Sequence, residues 1–336
     1  MAGLDEPGLG SDAWAHGDST MAISVLGSED LKTSVTPSAR RLFGSKRSRS
    51  AALWGLFFVA PQLLGLLVFS VIPVGWAMVL SFMDWNGLGD RTFIGLANYR
   101  ETFQSQEFRD ALSHTIQFTL IAVPGGVVVS LFVALLVNNV RFKTVYRVIF
   151  FLPTVTSSVA ISLVWLWALN GDFGLLNTYL REWFGANPPN WLIERDLVVP
   201  IIALISIWAG LGFNMVIFLA GLQSISPSYH EAAQLDGASR ARQFFNITLP
   251  LLSPTVFFVT IISLIGAFQV FDLVYVMTGG GPGKASSTMV FHIYETAFVD
   301  FSFGLSASVA MILFGIILLV TLFQFWGQRR WVHYDD

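Results

Sequence analysis

The chain has 336 residues, 54% hydrophobic and 12% charged, roughly half the charge of an ordinary soluble domain. A net charge of −3 offers no global basic field for nucleic acid, and zero cysteines remove disulfides, thiolate zinc sites and cysteine nucleophiles. With 30 phenylalanines and 11 tryptophans, a water-covered surface is excluded, and the chain reads as an all-α integral membrane protein in a lipid bilayer.

Residues 1–50 are rich in Ser, Gly, Asp and Ala, lack an apolar period and end in the basic cluster Arg40, Arg41, Lys46, Arg47, Arg49. That composition predicts a disordered cytoplasmic tail. The apolar run from Leu53 to Met83 is far longer than the 7–15 residues of a signal peptide's apolar region. Beyond the tail, six segments approach or exceed the ~20 residues that a hydrocarbon core requires. They are 53–83, 112–138, 146–169, 198–222, 252–277 and 304–327, making 51–328 a six-span domain, with 329–336 as a short cytoplasmic tail. Pro61, Pro73 and Pro124 fall inside the first two spans, where neighbouring helices and hydroxyls re-satisfy freed carbonyls. A cytoplasmic N-terminus puts thirteen Lys and Arg on the inner side and six on the outer. The positive-inside rule therefore places both termini in the cytoplasm.

Between the fourth and fifth spans, residues 226–250 are too organised for a plain loop. Ser226 is a good N-cap with Pro227 at the first helical position. A short helix is predicted to Asp236, a break at Gly237, and a second short helix ending before Leu249-Pro250. Ala232 and Ala233 offer a small-residue face with Glu231 beside it. From helix physics alone, an amphipathic helix lying at the lipid interface and a docking elbow for another protein are equally open.

At this point the residues resemble a family. Glu231-Ala232-Ala233, three residues, Gly237, nine residues, Ile247, one residue, Leu249-Pro250 is similar to the EAA loop of the membrane subunits of ATP-binding-cassette importers. The run Phe271–Pro282, which contains Thr278-Gly279-Gly280-Gly281-Pro282, resembles the carbohydrate branch of maltose and glycerol-phosphate type permeases. It is most like the first of their two permease subunits, and so is Phe93-Ile94-Gly95-Leu96-Ala97-Asn98-Tyr99. The similarity covers about residues 55–328, without the extra N-terminal spans and external domain of the maltose permease type.

The resemblance implies a type I importer permease fold with a cytoplasmic coupling helix, in a bacterial or archaeal cytoplasmic membrane. It implies a second permease subunit, an ATPase dimer that binds ATP and Mg, and an extracytoplasmic solute-binding protein. This chain would hold no cofactor or metal and no catalytic residue. ATPase coupling falls, by resemblance, on Glu231, Ala232, Ala233, Asp236, Gly237, Ile247, Leu249 and Pro250, with Glu231 meeting a basic residue of the ATPase.

A sugar pathway needs hydroxyl or amide partners and an aromatic face. The fourth span offers Ser206, Gly210, Phe213 and Asn214, and the fifth Ser263, Gly266, Gln269, Val270 and Asp272. The family's sugar-contact positions fall by ungapped match on Ser206, Ala209, Gly210, Phe213, Ser263, Gly266, Ala267 and Val270. Small residues at such spacing also serve helix packing, so lining and packing both stand as readings. Asp272 is the one acidic residue inside the assigned spans, with Gln269 three residues before it. A structural cap at the outer gate is expected of it first, sugar binding second.

Gly279–Lys284 lacks the first Gly and the final Ser or Thr of a phosphate-binding loop and is expected to be a flexible external turn. The rival functions are an ion-coupled secondary carrier, which wants paired intramembrane charges and a repeat, and an intramembrane enzyme, which wants clustered His, Glu or Asp.

Overall fold

The structure, a computed structural model, describes residues 46–328. Of the two expected tails, residues 1–45 and 329–336 lie outside the described residues. Residues 46–50, expected to be tail, are helical. The leading helix up to Leu64 forms one compact unit, and the chain from Gly65 onward a second.

Among the described residues, four helical segments are each long and apolar enough to cross a bilayer: Trp54–Leu80, Gln106–Asn138, Arg195–Ser224 and Phe303–Gln328. Two further crossings arise if each of two bent helix pairs is one span. The first segment is α1 (Lys46–Leu66), a π turn at Leu67–Val71, and α2 (Ile72–Leu80). Pro73 removes one backbone donor, and the wider turn just before it absorbs the mismatch. A two-residue hairpin, β1 (Met83–Asp84) and β2 (Thr92–Phe93), pairs antiparallel with Met83 opposite Phe93.

The Phe93–Tyr99 stretch then clamps the end of α2. Asn98, on α3 (Ala97–Gln104), donates its amide to the carbonyls of Ser81 at 3.0 Å and Met83 at 2.9 Å. Thr102 pairs its hydroxyl with Ser308 at 2.8 Å, tying α3 to α15 (Phe303–Gln328).

The third and fifth spans depart from the straight helices expected at 146–169 and 252–277. α5 (Lys143–Val155) and α6 (Ser158–Ala168) meet at 95°. Pro153 deprives one carbonyl of its partner, and Thr156 and Ser157 are extended. The Thr156 hydroxyl donates to the Leu152 carbonyl at 3.0 Å, satisfying the broken end from within. The helical run Arg240–Leu251 meets α12 (Ser253–Phe268) at 65°. Pro250 and Pro254 each remove a donor around that bend.

α12 stops at Phe268, nine residues short of the expected end. Residues 269–271 leave the helix, and α13 (Asp272–Met277) starts afresh. The carbonyl of Val270 is taken by the Thr288 hydroxyl at 3.0 Å, which stabilises the break. Asp272 is thus the first residue of a separate short helix and is exposed, not an acid within the long helix α12.

α4 (Gln106–Asn138) and α8 (Arg195–Ser224) run side by side in the same direction. Phe118 and Val123 pack with Val198, Ile202 and Ile205 at one end; Ala134 and Val137 pack with Met215, Phe218 and Leu222 at the other. A third cluster joins Phe108 and Ala111 to Met289, Val309 and Leu313, where Met289 lies on α14 (Met289–Tyr294). α7 (Leu175–Phe184) lies in the connection between α6 and α8.

The Gly279–Lys284 segment is not the loose turn expected. The Thr278 and Ser286 hydroxyls are paired at 2.8 Å, Ser286 also donates to the Gly281 carbonyl at 2.6 Å, and the Ser286 amide donates to the Gly280 carbonyl at 3.1 Å. Lys284 reaches across to Glu107 on α4 at 2.7 Å. The Glu107 hydrogen bond raises the lysine pKa against a smaller opposing effect of burial. The raised value means that the charged lysine stabilises the fold at neutral pH and that this contribution is lost as pH rises through the lysine's own titration. Both partners are substantially exposed, so its share of stability is small.

Two predictions follow from this packing. A methyl group on Gly212 would collide with the Phe150 carbonyl of α5, whereas one on Gly210, two residues earlier, would meet nothing within 4 Å. Gly212→Ala should destabilise the purified protein by about 1–3 kcal/mol while Gly210→Ala leaves the melting temperature within error. Equal melting points would overturn the α5–α8 contact. In the 278–288 loop, Ser286→Ala, which strips a buried hydroxyl, should cost about 1–3 kcal/mol, against less than about 1 kcal/mol for Glu107→Gln; limited proteolysis within 278–288 ranks the two.

Candidate coupling elbow and pathway pocket

The elbow starts where α8 ends. Ser226 caps α9 (Pro227–Leu235), its hydroxyl accepting from the Ser228 amide at 3.4 Å, and Pro227 takes the first helical position. At the far end the backbone closes in a Schellman arrangement: Ala238 N–H to Ala233 C=O at 2.9 Å and Gly237 N–H to Gln234 C=O at 3.0 Å. This requires a left-handed residue, and Gly237 supplies it at φ +74°. Ser239 then caps α10 (Arg240–Gln243), and the Gln243 amide reaches back to the Ala238 carbonyl at 2.9 Å.

The second arm does not end before Leu249-Pro250 as expected. It continues through a π turn at Phe244–Thr248 into α11 (Leu249–Leu251). The π turn lets Pro250 enter the helical run, because the wider turn loosens the backbone around its missing donor. Ile247 lies in that turn; it, Leu249 and Pro250 are half-buried, holding the arm rather than facing out.

On α9, Glu231, Ala232, Asp236 and Gly237 are exposed, whereas Ala233 turns inward and is buried. The expected face of two adjacent alanines is therefore a single outward alanine. Sequence reading missed Leu235, which is 90% exposed and lies four residues beyond Glu231 on the same helix face. Its signal was available: an apolar residue at the end of an otherwise polar short helix, just before Asp236-Gly237.

A pocket of about 260 Å³ opens among three helices. α4 contributes Ala122 and Gly126; α8 contributes Ser206, Gly210, Phe213 and Asn214; α12 contributes Ser263, Gly266 and Ala267. Six of the nine expected pathway residues thus meet at one place: Ser206, Gly210, Phe213, Asn214, Ser263 and Gly266. The Asn214 amide donates to the Ser263 hydroxyl at 3.3 Å, joining the two walls.

The two readings of the small residues separate here. Added methyls on Gly210 and Gly266 would meet nothing within 4 Å, while Gly125, Gly212 and Gly221 are closely packed. Gly210 and Gly266 keep a wall open; the other three let helices approach. Gln269, Val270 and Asp272 do not join the pocket. The break after Phe268 carries Gln269 and Asp272 to an exposed position, removes their shared helix face and leaves Val270 against the core. Of the two further family-matched positions, Ala267 lines the pocket, while Ala209 gives its carbonyl to the Thr154 hydroxyl at 3.1 Å.

Known proteins bear on this arrangement. Residues 126–333 match the family described as "Binding-protein-dependent transport system inner membrane component". The chain is similar to the probable ABC transporter permease protein YesP of Bacillus subtilis, 35% identical over 299 residues, covering 87% of this chain and 96% of YesP. It is also similar to the sn-glycerol-3-phosphate transport system permease protein UgpA of Agrobacterium fabrum, 32% identical over 281 residues, covering 82% and 94%. In fold it is similar to a chain of the crystal structure of a bacterial alginate ABC transporter in complex with an alginate pentasaccharide-bound periplasmic protein. There the TM-score is 0.73 at 23% identity, with 84% of this chain and 95% of that one covered. The match spans the fourth-span wall, the elbow and the fifth-span wall together, so the chain belongs to the family of binding-protein-dependent transport system inner membrane components.

Proposed function

We propose that this chain is one permease subunit of an ATP-driven importer for a polyhydroxylated solute: a sugar, a polyol or a glycerol-phosphate-like compound. Family membership displaces the ion-coupled carrier as the alternative. The elbow carries the reading: a helix fixed at both ends presents Glu231 and a 90%-exposed Leu235 side by side. A charge beside a bare leucine suits a protein groove that pairs the carboxylate and covers the apolar side chain.

In this reading the elbow faces the cytoplasm with both chain termini, and an ATPase subunit docks on it. ATP and Mg belong to the ATPase pair; this chain contributes no catalytic group and holds no cofactor. The pocket supports a shared pathway. At about 260 Å³ it is slightly below the roughly 300–1,000 Å³ of a small-molecule site, and its open glycines leave one side for a second permease subunit to complete. Ser206, Asn214 and Ser263 offer hydroxyl and amide groups, and the Phe213 ring offers a stacking face. An extracytoplasmic binding protein delivers the solute. Closure of the ATPase pair then shifts a two-state permease pair by contacting the elbow differently in each state.

The test is solute-stimulated ATPase activity and uptake in proteoliposomes containing all subunits. Glu231→Lys and Leu235→Asp should each lower uptake at least about tenfold, the equivalent of ~1.4 kcal/mol of coupling, while the chain stays inserted. Gly237→Pro should do so more severely, because it removes the Gly237 amide donor and the left-handed turn. Normal uptake in all three would refute the docking role. A mild-detergent pull-down that returns the chain without an ATPase or a second permease would refute the importer itself.

A further inference from the structure

The chain gathers the charged groups of its two central helices in one cavity and keeps them out of another. A cavity of about 410 Å³ between the first turns of α4, the start of α8 and the 278–288 loop is lined by Asp110, His114, Arg195, Asp196 and Lys284, among others. Beyond those turns α4 carries no Lys, Arg, Asp or Glu from 111 to 138, α8 none from 197 to 224, and α12 (Ser253–Phe268) none at all. The pathway pocket is built wholly from these uncharged stretches.

No nearby cation reaches into it. From Ser206 back to Asp196 is about 15 Å of helix, and from Ala122 back to Asp110 about 18 Å. The Arg195 guanidinium lies against Gly283, where an added methyl would stand 2.8 Å from its Nη2. Arg147 belongs to the far side of α8. Its helix, α5, meets α8 at Gly212, roughly 100–160° around from Ser206, Gly210, Phe213 and Asn214, and on that side α5, α6 and α8 enclose an apolar groove.

What the pocket offers is neutral and uncommitted. Elsewhere, Thr115, Thr119, Ser162 and Thr260 each turn their hydroxyl back onto the carbonyl four residues earlier. The Ser206 hydroxyl makes no hydrogen bond among the described residues. Asn214 uses one amide hydrogen on the Ser263 hydroxyl at 3.3 Å, which leaves its carbonyl and its second hydrogen free. The Phe213 ring is 43% exposed. Donors and acceptors beside a ring face match a solute whose polar groups are all hydroxyls. A phosphate or carboxylate would lose hydration here with no cation to replace it, at a far greater cost than a hydroxyl incurs.

We propose, on the importer reading above, that the solute passing this pocket is uncharged: a neutral sugar or polyol. Phosphorylated and carboxylated solutes are rejected at this wall for want of a cation.

The chain has no cysteine, so Ser206→Cys and Ser263→Cys each give it a single thiol, one on α8 and one on α12. The complex, extracted with whatever subunits accompany the chain and held in nanodiscs, is treated with methanethiosulfonate reagents of similar size. One bears a sulfonate and the other a hydroxyl, and modification of this chain is read by mass. With each rate divided by that of free mercaptoethanol, the sulfonate should be at least about tenfold the slower at both positions. Gly266→Arg, where an added methyl meets nothing within 4 Å, should bring the sulfonate rate at Ser206→Cys up toward that of the hydroxyl reagent. Equal rates without that arginine would overturn the proposal, whether the compensating cation came from a second permease or from elsewhere. So would a sulfonate rate that Gly266→Arg leaves unchanged, because access and not charge would then set the ratio. These rates need neither ATP nor transport, so a pull-down that refutes the importer and a pocket that accepts the sulfonate are separate failures.

Discussion

The close passage of α8 past α5 at Gly212 determines what the rest of the molecule presents. With no side chain there, the α5 backbone comes down onto α8, and the Thr154 hydroxyl donates to the Ala209 carbonyl at 3.1 Å beside it. Pinned at that point, α8 has no freedom to rotate. One of its sides packs along α4; another carries Ser206, Gly210, Phe213 and Asn214 into the pocket; a third places Trp208 and Leu211 over the α5–α6 groove. A rotation of about 100°, one residue's turn, would put Leu211 where Gly210 leaves the pocket wall open.

The second constraint is lipid itself, where each unpaired backbone group is expensive. The chain uses proline freely and compensates locally each time. A π turn precedes Pro73, another precedes Pro250, and the Thr156 hydroxyl takes the Leu152 carbonyl at the α5–α6 break. These compensations turn what could be defects into fixed bends, and the bends create both the elbow's second arm and the groove.

Much of this was legible in the sequence. Long apolar runs mark the segments that the structure shows as four long apolar helices and two bent helix pairs. Ser226-Pro227 and Gly237 announce the first elbow helix and its end, because cap and left-handed turn are local chemistry. The bends at 95° and 65° were not legible, since each depends on how freed carbonyls find hydroxyls or wider turns in three dimensions. Nor was the difference between Gly210 and Gly212, identical residues two positions apart that tertiary packing sends to opposite duties. Ala233 was misjudged for the same reason: the sequence shows two alanines, and only the seating of α9 decides which is covered. Thr288 ends α12 from 18 residues away, beyond any local pattern.

The pocket's two main walls, α8 and α12, are the helices that flank the elbow, and α12 joins it through the 65° bend at Leu252. From that bend to Gly266 is about 21 Å of helix. A tilt of only about 10° at the bend would carry Gly266 sideways by roughly 4 Å over that length, comparable to the half-width of a sugar ring. The geometry is that of a bent crank: an arm of twelve residues, Arg240–Leu251, a pivot between two prolines, and a second arm of comparable length, α12, that forms one wall of the pocket. A swing of the first arm therefore reaches the pocket wall as a displacement of similar size, without any helix having to unwind.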